Sequence, residues 1–175
     1  MVRSAALLIG CRGVASASFA EVLEASGAPR GSIYHHFPDG KRQLVAEAIE
    51  WTCGLIVEHI ESGPVEPAEA VLAHFVALWR ASLTASGAEA GCPVAAVAID
   101  AADDEHLREL TRRAFEDWVE RLAARLQRSG LDAGRAHALA LTILAAVEGA
   151  VILCRAQRSV GPLDGVEAEL KRLVY

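Results

Sequence analysis

At 175 residues the chain suits one or two compact units and can bury a substantial core. Its 53% hydrophobic content, rich in helix-forming Ala and Leu and with only 5% aromatics, excludes a disordered chain and argues for an all-α protein. Net charge is −6, but residues 1–43 carry five basic against three acidic side chains and the remainder is −8, so a polyanionic partner belongs at the N-terminal quarter.

Residues 1–11 are weakly basic and carry no cleavage region, so no signal peptide is expected and the expectation is a cytoplasmic chain. A short apolar helix over 2–12 is closed by Gly13. Ser18-Phe19-Ala20-Glu21 is a capping box, in which the Ser18 hydroxyl accepts from the Glu21 amide and Glu21 reaches back. The helix it opens, 19–26, sets Phe19, Val22 and Leu23 on one face, and Gly27 ends it. Pro29 falls in the first turn of the next helix, which runs to about Phe37 and is stopped by Pro38-Asp39-Gly40. A longer helix follows from Lys41 to Ile60, before Ser62-Gly63-Pro64 and Pro67 break the chain. Five more, at 68–86, 92–101, 104–129, 133–158 and 163–174, bring the total to about nine. The most apolar stretch, 138–154, contains Glu148 and falls short of about 18 residues, so it reads as a buried helix rather than a membrane span.

Two short helices joined by a tight glycine-containing turn match the helix-turn-helix pattern, whose second helix enters the major groove of DNA. At about 100° per residue, Ile33 and Phe37 share one side of that second helix and would pack on the first two. Gly31 and His35 fall opposite, flanked by Ser32 and Tyr34, with Arg30 in the first turn. Arginine pairs bidentately with guanine, serine and tyrosine hold phosphates, and glycine permits close approach. Lys41 adds a charge beside amides suited to an anion. Spacing alone leaves this reading open against a plain structural joint, which many helical proteins contain.

Other chemistry is weakly represented. His35 and His36 are sequence neighbours that diverge by about 100° and cannot easily chelate one ion. Asp103 and His106 have the spacing of half a di-iron motif, without the second half. Cys11, Cys53, Cys92 and Cys154 are isolated and read as small core hydrophobes. No nucleophile elbow, zinc-protease motif, phosphate loop or dinucleotide fingerprint occurs, so no enzyme, metal or cofactor is expected.

The run from Ser18 to Lys41, with its Gly27-x-x-x-Gly31-Ser32-Ile33-Tyr34-x-His36-Phe37 core, closely resembles the DNA-binding signature of TetR-family regulators. Pro38-Asp39-Gly40-Lys41 and the later Gly91-Cys92-Pro93-Val94 resemble the LmrA/YxaF-like branch. The resemblance implies a three-helix head, 1–46, and a ligand-binding and dimerisation domain, 47–175. It implies that Arg30, Gly31, Ser32 and Tyr34 face bases or nearby phosphates, and that His36, Lys41 and the Ser18 helix start hold the backbone. Family members usually carry several more residues before the first helix. Here the chain begins almost inside it, so arm contacts lie outside the expectation.

The helix over 133–158 is apolar on nearly every side, as Leu139, Leu141, Ile143, Leu144, Val147, Val151, Ile152 and Leu153 show. Such a helix in a small protein needs a partner on each side, its own domain and a second subunit, with a deeply buried helix in a monomer as the alternative. By resemblance, the last two helices form a four-helix bundle across a two-fold axis. Glu148 is costly amid these neighbours unless it lines a ligand cavity, bonds across the dimer or meets a local partner. Phe75, Trp79, Phe115 and Trp118 sit mid-helix as core residues, and the family's ligand cavity lies in this core. Cys92 and Pro93 begin a short helix that could act as its movable wall. The expectation is a ligand-responsive repressor: a homodimer on a palindromic double-stranded operator, answering a small apolar or amphipathic effector, with no membrane partner. The alternatives are a helical enzyme or small-molecule carrier with an incidental helix-turn-helix, and a purely structural dimerising protein.

Overall fold

The computed structural model describes residues 1–174. Among them are nine α-helices, one 3₁₀ turn at Val14–Ser16 and no strand. The helices are α1 (Val2–Arg12), α2 (Phe19–Ser26), α3 (Ser32–His36), α4 (Lys41–Ser62), α5 (Ala68–Ala85), α6 (Pro93–Asp100), α7 (Glu105–Arg128), α8 (Ala133–Gln157) and α9 (Gly161–Leu173).

The chain divides into two compact units. The first joins Met1–Leu55 to Gly91–Ala114, so α6 and the first turns of α7 belong with the N-terminal helices. Helix α1 buries Ala5, Ala6, Ile9 and Gly10, and packs against α2 and α6. At Gly10 any Cβ would overlap the Gly91 carbonyl oxygen, so only glycine lets α1 press onto that backbone. Gly13 closes α1 at φ 83°, its amide donating to the Ile9 carbonyl at 2.8 Å. The next amide, of Val14, donates to the Asp100 carboxylate at 2.9 Å, from 86 residues away. Arg42 Nε meets Asp104 at 3.0 Å. Leu44, Ala48 and Ile49 of α4 complete the core, with the buried Thr52 hydroxyl donating to the Ala48 carbonyl at 2.8 Å. Each large aliphatic side chain buried here contributes about 1.5–3 kcal/mol.

The second unit takes Ile56–Ala90 and the chain from Phe115 on. Helix α8 packs on α5 and α9, burying Leu139, Ile143, Leu144, Val147, Val151 and Cys154. Arg80 of α5 reaches Asp164 and Glu167 of α9, and Arg135 of α8 donates to the Leu173 carbonyl at 2.8 Å. Of the two sides the sequence assigns to its own domain and to a second subunit, this chain covers one face of α8. Leu141, Ile152 and Leu153 are 55, 61 and 50% exposed. By length and composition alone α8 also reaches a membrane span, because the helix is continuous through Glu148.

Boundaries differ in instructive places. The second helix of the expected motif begins at Ser32 instead of Pro29. Ser32 turns both its amide and its hydroxyl onto the Pro29 carbonyl, at 3.0 and 2.7 Å, so residues 30 and 31 form a tight turn and Arg30 precedes the helix. Helix α6 starts at Pro93 with the Cys92 sulfur as its cap, accepting from the Ala95 amide at 3.4 Å. Helix α7 starts one residue late because Asp104 caps it, accepting from the His106 and Leu107 amides at 3.0 and 3.1 Å.

Candidate nucleic-acid interface

Helix α2 owes its start to Ser18, whose hydroxyl accepts from the Glu21 amide at 3.3 Å and donates to the Glu21 carboxylate at 2.6 Å. Hydrogen bonds from the Ser18 side chain, and then its backbone, hold the Glu21 carboxyl below its usual value, helped by Arg12 and Lys41. Gly27, at φ 67°, turns the chain out of α2.

Helix α3 is seated by its apolar side. Ile33 and Phe37 are buried with Val22, and the Phe19 ring contacts Phe37 at 6.4 Å and the edge of Tyr34 at 5.5 Å. The other side is open: Arg30, Gly31, His35 and His36 are exposed and Tyr34 is 70% exposed. A Cβ at Gly31 would meet nothing within 4 Å, so its own chain does not require glycine there. Arg30, Gly31, Tyr34, His35 and His36 are thus all left open to solvent around the buried Ile33–Phe37 side. Ser18 and Ser32 are half-buried, with hydroxyls that already donate within the chain. Lys41 starts α4 and donates to the Ala15 carbonyl at 3.3 Å, tying the joint after α3 to the 3₁₀ turn.

Gln43 escaped the sequence reading. Its side chain donates to the His36 carbonyl at 3.2 Å and accepts from the Asp39 amide at 3.1 Å, clipping the end of α3 to the start of α4. A polar residue in the first turn of a helix after Pro-x-Gly is the only local signal it offers.

Residues 2–48 match the family of bacterial regulatory proteins of the tetR type, and residues 67–169 match the C-terminal domain of LmrA/YxaF-like transcriptional regulators. The chain is a TetR-family transcriptional regulator. It is 39% identical to an HTH-type transcriptional regulator of Mycobacterium tuberculosis strain H37Rv, over 99% of this chain and 92% of that one. With the HTH-type transcriptional regulator LmrA of Bacillus subtilis identity is 28%, over 93% of this chain and 88% of that one. Among solved structures, a TetR regulatory protein of Rhodobacter sphaeroides superposes with a TM-score of 0.86 at 21% identity, covering 98% of this chain and 95% of that one. A TetR regulator of Chloroflexus aurantiacus gives 0.74 at 29% identity, over 98% and 90%. TetR-family regulators bind DNA and dimerise, and this membership excludes the enzyme reading.

The regulator's second unit holds a groove of about 430 Å³ between α7 and α8. Phe115, Val119, Leu141, Leu144 and Ala145 give it apolar walls, with Glu116, Glu120, His137 and Glu148 among the lining. Of the residues expected at a ligand cavity, Phe115 and Glu148 meet here. Trp118 touches Phe115 edge-on at 5.4 Å but is buried behind it. Phe75 and Trp79 are core residues of α5 that do not line the groove, and Cys92 belongs to the first unit. The indole N–H groups of Trp79 and Trp118 are buried without an acceptor among the described residues, an arrangement that costs about 1–3 kcal/mol each.

Proposed function

We infer that this regulator is a cytoplasmic, ligand-responsive repressor that binds a palindromic operator as a homodimer. The carrying observation is the exposed Arg30–Gly31–Tyr34–His35 surface, backed by the buried wedge of Ile33 and Phe37. In this reading residues 1–46 read DNA. Arg30 pairs with a base edge, Gly31 allows the backbone close to it, and Ser32 and Tyr34 reach bases or phosphates. His35 shares that surface, while His36, Lys41 and the amides at the Ser18 helix start hold phosphates.

Dimerisation is supported by the exposed face of α8. Gly149, Ile152 and Leu153, none of which lines the groove, form an exposed stripe of small and apolar side chains on one side. A Cβ at Gly149 would meet nothing in its own chain, so a glycine that weakens the helix is accounted for by close approach of a second copy. Two heads about 34–36 Å apart would enter successive major grooves. The effector is a small apolar or amphipathic molecule, for which the groove between α7 and α8 is the seat. It acts by binding one spacing of the heads better than the other.

The test is a gel shift of the purified protein with duplexes from the DNA flanking its own gene, against an excess of unrelated DNA. Retention of one duplex with two-fold symmetric protection supports the reading. Equal displacement of every duplex by unrelated DNA overturns it.

A further inference from the structure

His59 and His74 stand apart from both candidate sites. Their rings, from the last turn of α4 and from α5, stack with centroids 4.0 Å apart and planes 8° from parallel. Each also reaches the other's backbone: His59 Nε2 lies 2.6 Å from the His74 carbonyl oxygen, and His74 Nε2 lies 2.8 Å from the His59 carbonyl oxygen. A carbonyl only accepts, so both Nε2 atoms carry hydrogen and both Nδ1 atoms are bare in the neutral pair. Gly63 lies so close to the His74 ring that a Cβ there would overlap it.

We propose that His59 and His74 form a proton-operated clasp, closed when the pair is neutral, that fastens the end of α4 to α5. A first proton enters at one Nδ1 and leaves both Nε2–H···O bonds in place. A second would set two imidazolium rings face to face at stacking distance, so the doubly charged pair is relieved by separating. The surrounding charges give little help. Glu58 beside His59 is exposed. Glu61 of α4 is engaged by Arg121 of α7, which also holds Asp117. Arg125 of α7 donates to the carbonyls of Glu61 and Gly63. Glu69 of α5 faces Lys171 of α9 at 3.8 Å. Burial is the largest influence on His59 and lowers its pKa; its bond to the His74 backbone raises it, and the His74 charge lowers it further.

The sign follows from linkage. Folding lowers the His59 pKa from its ordinary value of 6.5, so below that value the unfolded chain binds more protons. The clasp's contribution is complete above that value and is lost as pH falls through the lowered one.

Hydrogen exchange on the full wild-type chain, corrected for intrinsic rates from about pH 8 to about pH 5, tests the clasp. Amides of 56–62 and 68–75 should lose protection by up to about tenfold per pH unit for each proton taken up, while α1 and α2 keep theirs. In H59Q/H74Q, whose amide side chains donate without titrating, this pH dependence should vanish. Proton NMR of the wild-type imidazoles, which needs no variant to fold, should place the His59 transition below the ordinary imidazole range. Protection that ignores pH, a loss unchanged in H59Q/H74Q, or a His59 transition in the ordinary range would each overturn the proposal.

Discussion

Arg30 and Lys41 are both basic and both fall in the stretch that matches the tetR-type family, and under the proposed DNA-binding function their surroundings predict different tasks. Arg30 stands exposed in the turn before α3, whereas Lys41 already spends one hydrogen bond on Ala15. Arg30→Ala should cost about 1–3 kcal/mol per half-site and relax preference at one base position, with unchanged melting. Lys41→Ala should weaken all duplexes alike and flatten the salt slope by about one unit for each phosphate left unneutralised. Fluorescence anisotropy over a series of duplexes and salt concentrations separates the two, and equal effects on base preference would remove the division. Ser18→Ala removes the α2 cap and should lower stability by about 0.5–2 kcal/mol in denaturant titration. It should also change the acid limb. Glu21 is held below its usual value of 4.5, so its contribution is present above that pH and fades as the pH falls toward the lowered value. The Ser18 variant should show a shallower loss in that window.

At the scale of elements, α8 divides into two faces with opposite sensitivities. Ile152→Arg or Gly149→Arg adds a charge to the exposed stripe, and should turn a dimer into a monomer that keeps its helical circular dichroism. Val147→Arg places the same charge where Val147 is fully buried in its own chain, and should unfold it. Sedimentation together with thermal melting distinguishes these outcomes, and a wild-type chain that sediments as a monomer at micromolar concentration would discard the dimer. From sequence, Val147 and Val151 are as eligible to face a partner as Ile152. An evenly apolar helix carries no periodic signal to say which side its own chain covers, and only the packing of α5 and α9 decides it. Helices with strong punctuation are legible almost to the residue, as the Ser18 cap and Gly27 show for α2. Helix α3 is shorter than its sequence suggests because proline suits a first helical turn and equally a turn before one, and Ser32 selects the second. The groove is half legible. Phe115 and Glu148 draw attention by their chemistry, whereas Leu141 and Ala145 are ordinary helix residues until α7 lies beside them.

The first unit of the molecule is assembled from two stretches of chain, and nothing local in the sequence announces the second. Val14 and Asp100 are 86 residues apart, and each alone is an unremarkable loop or helix-end residue. The expected cut at residue 46 therefore leaves α1 without α6. A fragment of residues 1–55 should show little stable tertiary structure by NMR, because the faces of Ile9 and Gly10 lose their cover. Gly10→Ala in the full chain should destabilise by about 1–3 kcal/mol through the forced shift against Gly91. A well-dispersed spectrum from the fragment would show that the N-terminal helices suffice alone. This discontinuity also bears on how such proteins diverge and how they can be rebuilt. The two family matches, 2–48 and 67–169, assign α1 and α6 to different modules, although the two pack as one body. A chimera that exchanges operator preference by splicing at residue 48 imports a foreign α1 onto a resident α6. Its Gly10–Gly91 fit and Val14–Asp100 bond would survive only by coincidence. Substitutions at those paired positions should therefore travel together through the lineage, and a transplantable head needs residues 91–104 as part of the graft.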